Sequence, residues 1–191
     1  LTKGHTPEGD LELRVVHDGT HGVELNAHIK VRDQEAMPAA PDLKRLLRQL
    51  DQNPSKTYKG LVVDVQGAHR CVRVRPEDWP LLACKARDPD TIFLNLCGTF
   101  GVSSASYWWS RLGSAVHRLL HYLLGPGADV WILLFSDDFL CLAEGERADY
   151  HLSLVLLILV VFKVPVKWAK VRAGHTLEWI GFELNLRSHS L

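Results

Sequence analysis

Residues 132–143 read ILLFSDDFLCLA, with two adjacent aspartates, Asp137 and Asp138, inside an otherwise apolar run. Burying one carboxylate without a partner is costly, and burying two side by side is worse. The apolar flanks suit the two strands of a hairpin, with the acids at its tip. A plain polar turn would account for them alone, since Asp is common in turns. A third acid shifts the balance. Asp64 ends another short apolar strand, LVVDV at 61–65, and QGAHR follows it. If the two strands are neighbours in one sheet, three carboxylates converge at its edge, and their repulsion needs a cation. Oxygen ligands without His or Cys in the pattern favour a hard ion, Mg2+ or Mn2+. Two such ions can clamp both oxygens of an in-line phosphoryl displacement. The chemistry indicated is nucleotidyl transfer or phosphate-ester hydrolysis.

The elements that must position these acids follow from periodicity and turn residues. Residues 1–10 are polar and turn-rich and read as a loose arm; LELRVV at 11–16 reads as a strand. PDLKRLLRQL at 41–50 carries leucines at 43, 46, 47 and 50, a helical spacing. LLACKA at 81–86 and TIFLNL at 91–96, joined by RDPD, predict a hairpin. GTFGVSS is a Gly/Ser-rich loop that opens a helix over roughly 103–124, ended by Gly125-Pro126-Gly127. Such a loop brings backbone N–H groups close to a phosphate or base, although Gly and Ser also make ordinary N-caps. Residues 147–162 form an apolar helix stopped before Pro165, and VKWAKV and LEWIGFELNL are two closing strands. The order is α+β: an antiparallel sheet with helices packed on one face.

At 191 residues, 47% apolar and 23% charged, the chain is one domain or a piece of one, with enough length for a core. Its 22 basic and 22 acidic residues balance, so overall charge points to no polyanion partner. The stretch Lys163 to Arg172 nevertheless holds Lys163, Lys167, Lys170 and Arg172 and no acid. Cys71, Cys84, Cys97 and Cys141 show no metal-ligand spacing and suit small core residues in a reducing compartment. The longest apolar run, LSLVLLILVVF at 152–162, falls short of the roughly 20 residues a membrane span needs. No signal peptide opens the chain, and its first residue, Leu1, reads as the start of an excised fragment.

Six motifs in order resemble the fingers–palm region of a retroelement reverse transcriptase, of the long-terminal-repeat and tyrosine-recombinase retrotransposon type. LRVVHDGTHGVELNAHI resembles the fingers segment, and LVVDVQGAHRCVRVRPEDW the first catalytic motif. CGTFGVSSASYWWSRL resembles the second motif, LLFSDDFLCLA the two-aspartate hairpin, VPVKWAKV the fourth motif, and LEWIGFELNL the primer-grip hairpin. The resemblance implies a polymerase palm with partial fingers. Residues 1–58 would be the fingers segment with its arm, 59–176 the palm, and 177–191 the primer-grip-like hairpin and chain end. Thumb and ribonuclease H segments are absent from the sequence.

Carried over residue by residue, the resemblance implies that Asp64, Asp137 and Asp138 bind two Mg2+ or Mn2+ ions. Asp64 and Asp137 would be principal ligands, aided by the Val65 carbonyl. Lys170 becomes the general acid for the leaving pyrophosphate. Arg14 would contact the incoming triphosphate. His69 stands where the family has Tyr or Phe, which excludes a ribose 2′-OH. Phe100 and Gly101 would lie against the nucleotide and template, and Trp179 and Gly181 would hold the primer end. Further departures are Thr99 for Pro, Phe135 for Tyr and Lys163 for Gly. The implied partners are a primed RNA or DNA template, dNTPs and further polyprotein domains, with no membrane. The implied place is intracellular, cytoplasmic or nuclear, not secreted. The leading expectation is an RNA-directed DNA polymerase fragment. The alternative is a catalytically inactive or domesticated palm module that binds nucleic acid or a protein. A nucleotide cyclase is a third, opposed by LEWIGFELNL.

Overall fold

The computed structural model describes residues 2–5, 11–13, 16–34, 36–53, 55–85 and 90–188. Arg14 lies outside the described residues. In chain order the elements are β1 (Thr2–His5), β2 (Leu11–Leu13), α1 (Leu25–His28), α2 (Ala40–Asp51) and β3 (Tyr58–Asp64). Next come β4 (Ala83–Lys85), β5 (Ile92–Leu94), α3 (Ser103–Leu124), β6 (Val130–Phe135), β7 (Asp138–Glu144) and α4 (Ala148–Val161). Strands β8 (Arg172–Gly174), β9 (Thr176–Trp179) and β10 (Phe182–Asn185) complete the described residues. The fold is α+β.

Two compact units share the chain, and each is built from two stretches. The first comprises Leu1–Glu35 and His69–Ser110; the second comprises Ala36–Ala68 and Arg111–Leu191. The first unit holds two antiparallel strand pairs, β1 with β2 and β4 with β5. Pairing of Thr2–His5 corrects the expectation of a wholly loose arm, because backbone groups there find a ladder partner in β2. Strand β4 starts at Ala83, two residues later than expected. Pro76 and Pro80 hold residues 76–82 in a tight helical turn that takes Leu81 and Leu82.

The second unit centres on a four-stranded antiparallel sheet in the order β6-β7-β3-β8. Strand β3 is buried at six of its seven positions, as befits a strand covered on both faces. Tyr58 and Val62 of β3 and Leu140 and Leu142 of β7 alternate onto one face. Leu43, Leu46, Leu47 and Leu50 of α2 pack there, and so do Leu177, Trp179, Leu184 and Leu186 around the β9–β10 hairpin. The leucine spacing that predicts α2 is therefore the stripe that covers the sheet. Helix α4 packs against β7 and β3 through Leu152, Val155 and Leu159. VKWAKV is not a strand along its length. Residues 168–170 form a tight turn, with Lys170 N–H donating to the Lys167 carbonyl (2.9 Å) and Val171 N–H to Trp168 (3.1 Å). These local bonds use the donors a ladder would need, so after a single bridge at Val166 continuous pairing starts only at Arg172.

One half-buried titratable group gives the second unit a pH response. His117 on α3 donates from Nε2 to the Ile132 carbonyl on β6 (2.9 Å). Burial holds its pKa below the ordinary 6.5; the Ile132 bond opposes this, and His121 and Arg118 reinforce it. The unfolded chain therefore takes the proton first as pH falls. The contribution of neutral His117 is complete above about pH 6.5 and is lost as pH drops towards its folded value. His117→Gln, which keeps a donor for Ile132, removes up to one proton's slope from stability, about 1.4 kcal/mol per pH unit. Urea unfolding at pH 7 and at pH 5 measures it: the loss of stability between them shrinks in the variant.

Candidate active site in the second unit

The edge where β3 and β7 end carries the acids. Antiparallel pairing sets Asp64 directly opposite Asp138, so both carboxylates leave the same face. Phe135 pairs with Asp138, which leaves Ser136 and Asp137 as a two-residue hairpin loop. Ser136 has φ +53° and Asp137 does not share a positive φ, the pattern of a II′ turn. The turn is fastened to the end of β3, where Val65 N–H donates to the Asp137 carbonyl (2.9 Å). Asp137 thus stands at the tip, beside the Asp64–Asp138 pair rather than within it.

Lys170 is delivered to the same place by backbone bonds. Val65 bridges Val166, Gln66 N–H donates to the Pro165 carbonyl (2.6 Å), and Lys167 N–H donates to the Asp64 carbonyl (2.9 Å). The turn at 168–170 then swings the Lys170 ammonium onto the Asp64 carboxylate, where it forms an ion pair through Oδ2. That hydrogen bond, with the charges of Asp64, Asp138 and Asp137, raises the Lys170 pKa against a smaller opposing effect of burial. Asp138 is pushed up as an acid, first by burial and then by Asp137 and Asp64, with Lys170 pulling the other way. Negative charge at this edge exceeds what one ammonium compensates.

A cleft of about 510 Å3 opens beside these groups, lined by Asp64, Asp138, Lys170, Arg172, Thr176 and Trp179 among others. Asp137 does not line it. Arg172, read from sequence only as one member of a basic run, is a cleft residue. Its guanidinium donates to the Ala169 (2.9 Å) and Val171 (2.8 Å) carbonyls, which pre-orders it. Its place opposite Val62 in the β3–β8 ladder is the reason, and local sequence carries no signal of that pairing. Among the described residues no group of three or more His, Cys, Asp or Glu side chains is arranged to hold a metal ion. The donor chemistry nonetheless suits a hard cation: carboxylates only, in excess of local positive charge.

Trp179 is 1% exposed and belongs to the core, with its indole N–H donating to the Asp138 carbonyl (3.3 Å). It thereby holds the head of β7. Ile180 (φ +45°) and Gly181 (φ +82°) form the two-residue loop between β9 and β10, a I′ pattern that favours Gly at its second position.

The first unit holds the other candidates. The His69 and Phe100 rings meet edge to face, 4.7 Å between centroids. Phe100 accepts a hydrogen bond from His17 N–H (2.8 Å). Gly101 has φ +93°, and a Cβ there would lie 1.7 Å from the His17 carbonyl oxygen. Gly101→Ala must displace backbone as well as adopt a left-handed conformation. We expect it to destabilise the first unit by at least about 2 kcal/mol, measured as faster amide exchange over residues 17–26 and 98–103.

Comparison with solved structures gives the fold class: it is reverse-transcriptase-like. A prototype foamy virus protease–reverse transcriptase superposes with TM-score 0.65 at 17% identity, covering 94% of this chain and 21% of that one. Candida tropicalis telomerase, truncated from its C-terminal domain, superposes with TM-score 0.56 at 9% identity, over 81% and 40% of the two chains. A foamy viral protease–reverse transcriptase in complex with an RNA/DNA hybrid gives TM-score 0.53 at 13% identity, over 68% and 16%. This chain spans less than half the length of each. No protein-family model and no curated protein sequence matches it. No helix among the described residues is long and apolar enough to cross a membrane.

Proposed function

We propose that this chain is the fingers–palm portion of an RNA-directed DNA polymerase of the long-terminal-repeat or tyrosine-recombinase retroelement type. It transfers deoxynucleotides to a primer 3′-OH on an RNA or DNA template. The observation that carries this reading is Asp64 facing Asp138 across the β3–β7 ladder, with Asp137 in the adjoining turn and Lys170 on Asp64. The fold shared with reverse transcriptase and telomerase supports it. Asp64, Asp137 and the Val65 carbonyl would hold two Mg2+ or Mn2+ ions, with Asp138 in support. Bound there, such ions activate the 3′-OH and neutralise charge on the transferring phosphoryl group. Lys170 is the proton donor to pyrophosphate: an ammonium carries its proton at neutral pH at its ordinary pKa, and the Asp64 hydrogen bond that raises that pKa holds the proton more tightly until Asp64 takes another partner. Arg14, His69, Phe100 and Gly101 serve the incoming dNTP and Gly181 the primer end, while Trp179, buried in the core, serves the primer only by supporting that hairpin. Thumb and ribonuclease H functions belong to further domains of a polyprotein that works in the cytoplasm or nucleus.

A second reading, a domesticated palm module without turnover, is favoured by one observation: Lys170 already neutralises Asp64. Thermal unfolding with millimolar Mn2+ separates the two. A resident ion at ten times its Kd stabilises by about 1.4 kcal/mol, a rise in Tm of about 3–6 °C for a chain of this size. We expect that rise in the wild type, together with primer extension. Absence of both would leave the second reading.

A further inference from the structure

We infer that Asn26 is the positioning residue for the loop that carries Phe100 and Gly101, and so sets how tightly an incoming nucleotide is held. The nucleotide half of this inference rests on the polymerase reading; the clamp itself does not.

Asn26 sits on α1, a single helical turn with no buried residue, so packing does not explain why an amide stands there. Its side chain instead makes three hydrogen bonds, using both N–H donors and the carbonyl oxygen. Nδ2 donates to the Gly101 carbonyl (2.8 Å) and to Thr20 Oγ1 (2.9 Å), and Oδ1 accepts from Ser103 N–H (2.9 Å). Two of these bonds cross 75 and 77 residues of sequence. Ser103 is the first residue of α3, where amides have no carbonyl of their own helix to reach. Asn26 therefore caps α3 and grips Gly101 with one planar group. Between the two gripped residues lies Val102, 7% exposed.

The surrounding turn is built to hold Asn26 in place. Asp18 Oδ1 accepts from Thr20 N–H (3.0 Å) and His21 N–H (2.9 Å), and those bonds lower its pKa. Asn26 N–H donates to the Gly19 carbonyl (2.8 Å), and His17 N–H holds the Phe100 carbonyl (2.8 Å). The turn from 17 to 26 thus meets the loop from 100 to 103 at three points: Phe100, Gly101 and Ser103. Only an amide supplies a donor and an acceptor at this reach. Aspartate keeps the acceptor for Ser103 but sets a charge against the Gly101 carbonyl, and alanine loses both. The bonds are solvent-accessible, so each adds little to global stability. Their effect is to restrict the loop that places Phe100 against His69.

The test compares Asn26→Ala and Asn26→Asp with wild type on the full chain. Amide exchange over residues 98–103 should speed up by about tenfold in Asn26→Ala and by less in Asn26→Asp. Primer extension titrated with dNTP should show KM raised by about tenfold, with kcat changed by less than about twofold. Unchanged exchange overturns the clamp. Faster exchange with unchanged KM overturns the nucleotide role. If wild type extends no primer, the polymerase reading fails and the nucleotide role falls with it, while exchange still decides the clamp. Should Asn26→Ala not fold, Asn26→Asp and Thr20→Val carry the same comparison.

Discussion

Under the polymerase reading, Asp137→Asn is expected to lower primer extension by about a hundred- to a thousandfold, the range for loss of one electrostatic group at a reacting centre. Asparagine keeps the size of the side chain and the backbone that the hairpin needs. It removes one of the charges that repel Asp138 and that a divalent ion would satisfy. Asp137 lies in the turn, and its carbonyl, not its carboxylate, accepts from Val65 N–H. The fold therefore survives the substitution, and Tm without metal stays the same or rises. The metal-induced rise in Tm disappears. Single-turnover extension of a labelled primer, with thermal unfolding with and without Mn2+, measures all three effects. Equal extension by wild type and variant sinks the assignment of Asp137. Loss of extension with an undiminished metal response would move its role from metal binding to some other part of the reaction.

Trp179→Ala destabilises the second unit by about 3–5 kcal/mol, the range for deleting a large buried aromatic side chain. Trp179 is 1% exposed and packs in a cluster with Leu177, Leu184, Val62 and Leu140. Against a typical total of 5–15 kcal/mol, that loss leaves a marginal fold. Trp179→Phe separates packing from the indole bond. It keeps most of the apolar area and gives up the hydrogen bond to the Asp138 carbonyl, a loss of about 1 kcal/mol. Urea midpoints for the three proteins give the values. Little difference between alanine and phenylalanine would mean that the hydrogen bond, not the packing, dominates. Because Asp138 heads β7, the phenylalanine variant should also extend primers more slowly while remaining folded.

Much of the site was legible because its signals are local. An aspartate pair inside an apolar run, and another aspartate closing LVVD, each announce a strand end by the period-2 pattern and its interruption. The leucines of α2 mark a helix face in the same way, and the range expected for α3, 103–124, is the range observed. VKWAKV shows where such reading fails. Its alternation suits a strand, but the Lys170 and Val171 amides are used by its own turn and the Lys167 amide by the distant Asp64 carbonyl, a partner no local pattern shows.

By itself the amino-acid sequence determined which groups are available: three carboxylates at strand ends, a lysine in the closing segment, a Gly-rich loop before a long helix, and an α+β order of elements. Only the tertiary structure decided which of them meet. It set Asp138, rather than Asp137, opposite Asp64, brought Lys170 onto Asp64 and Arg172 into the cleft, and joined Asn26 to a loop 75 residues away. It also interleaved two stretches of chain into each compact unit. Composition and periodicity record what each residue prefers within a few neighbours. Register between distant strands is set by burial of whole faces and by turn geometry, and a single cross-chain hydrogen bond leaves no periodic trace at all.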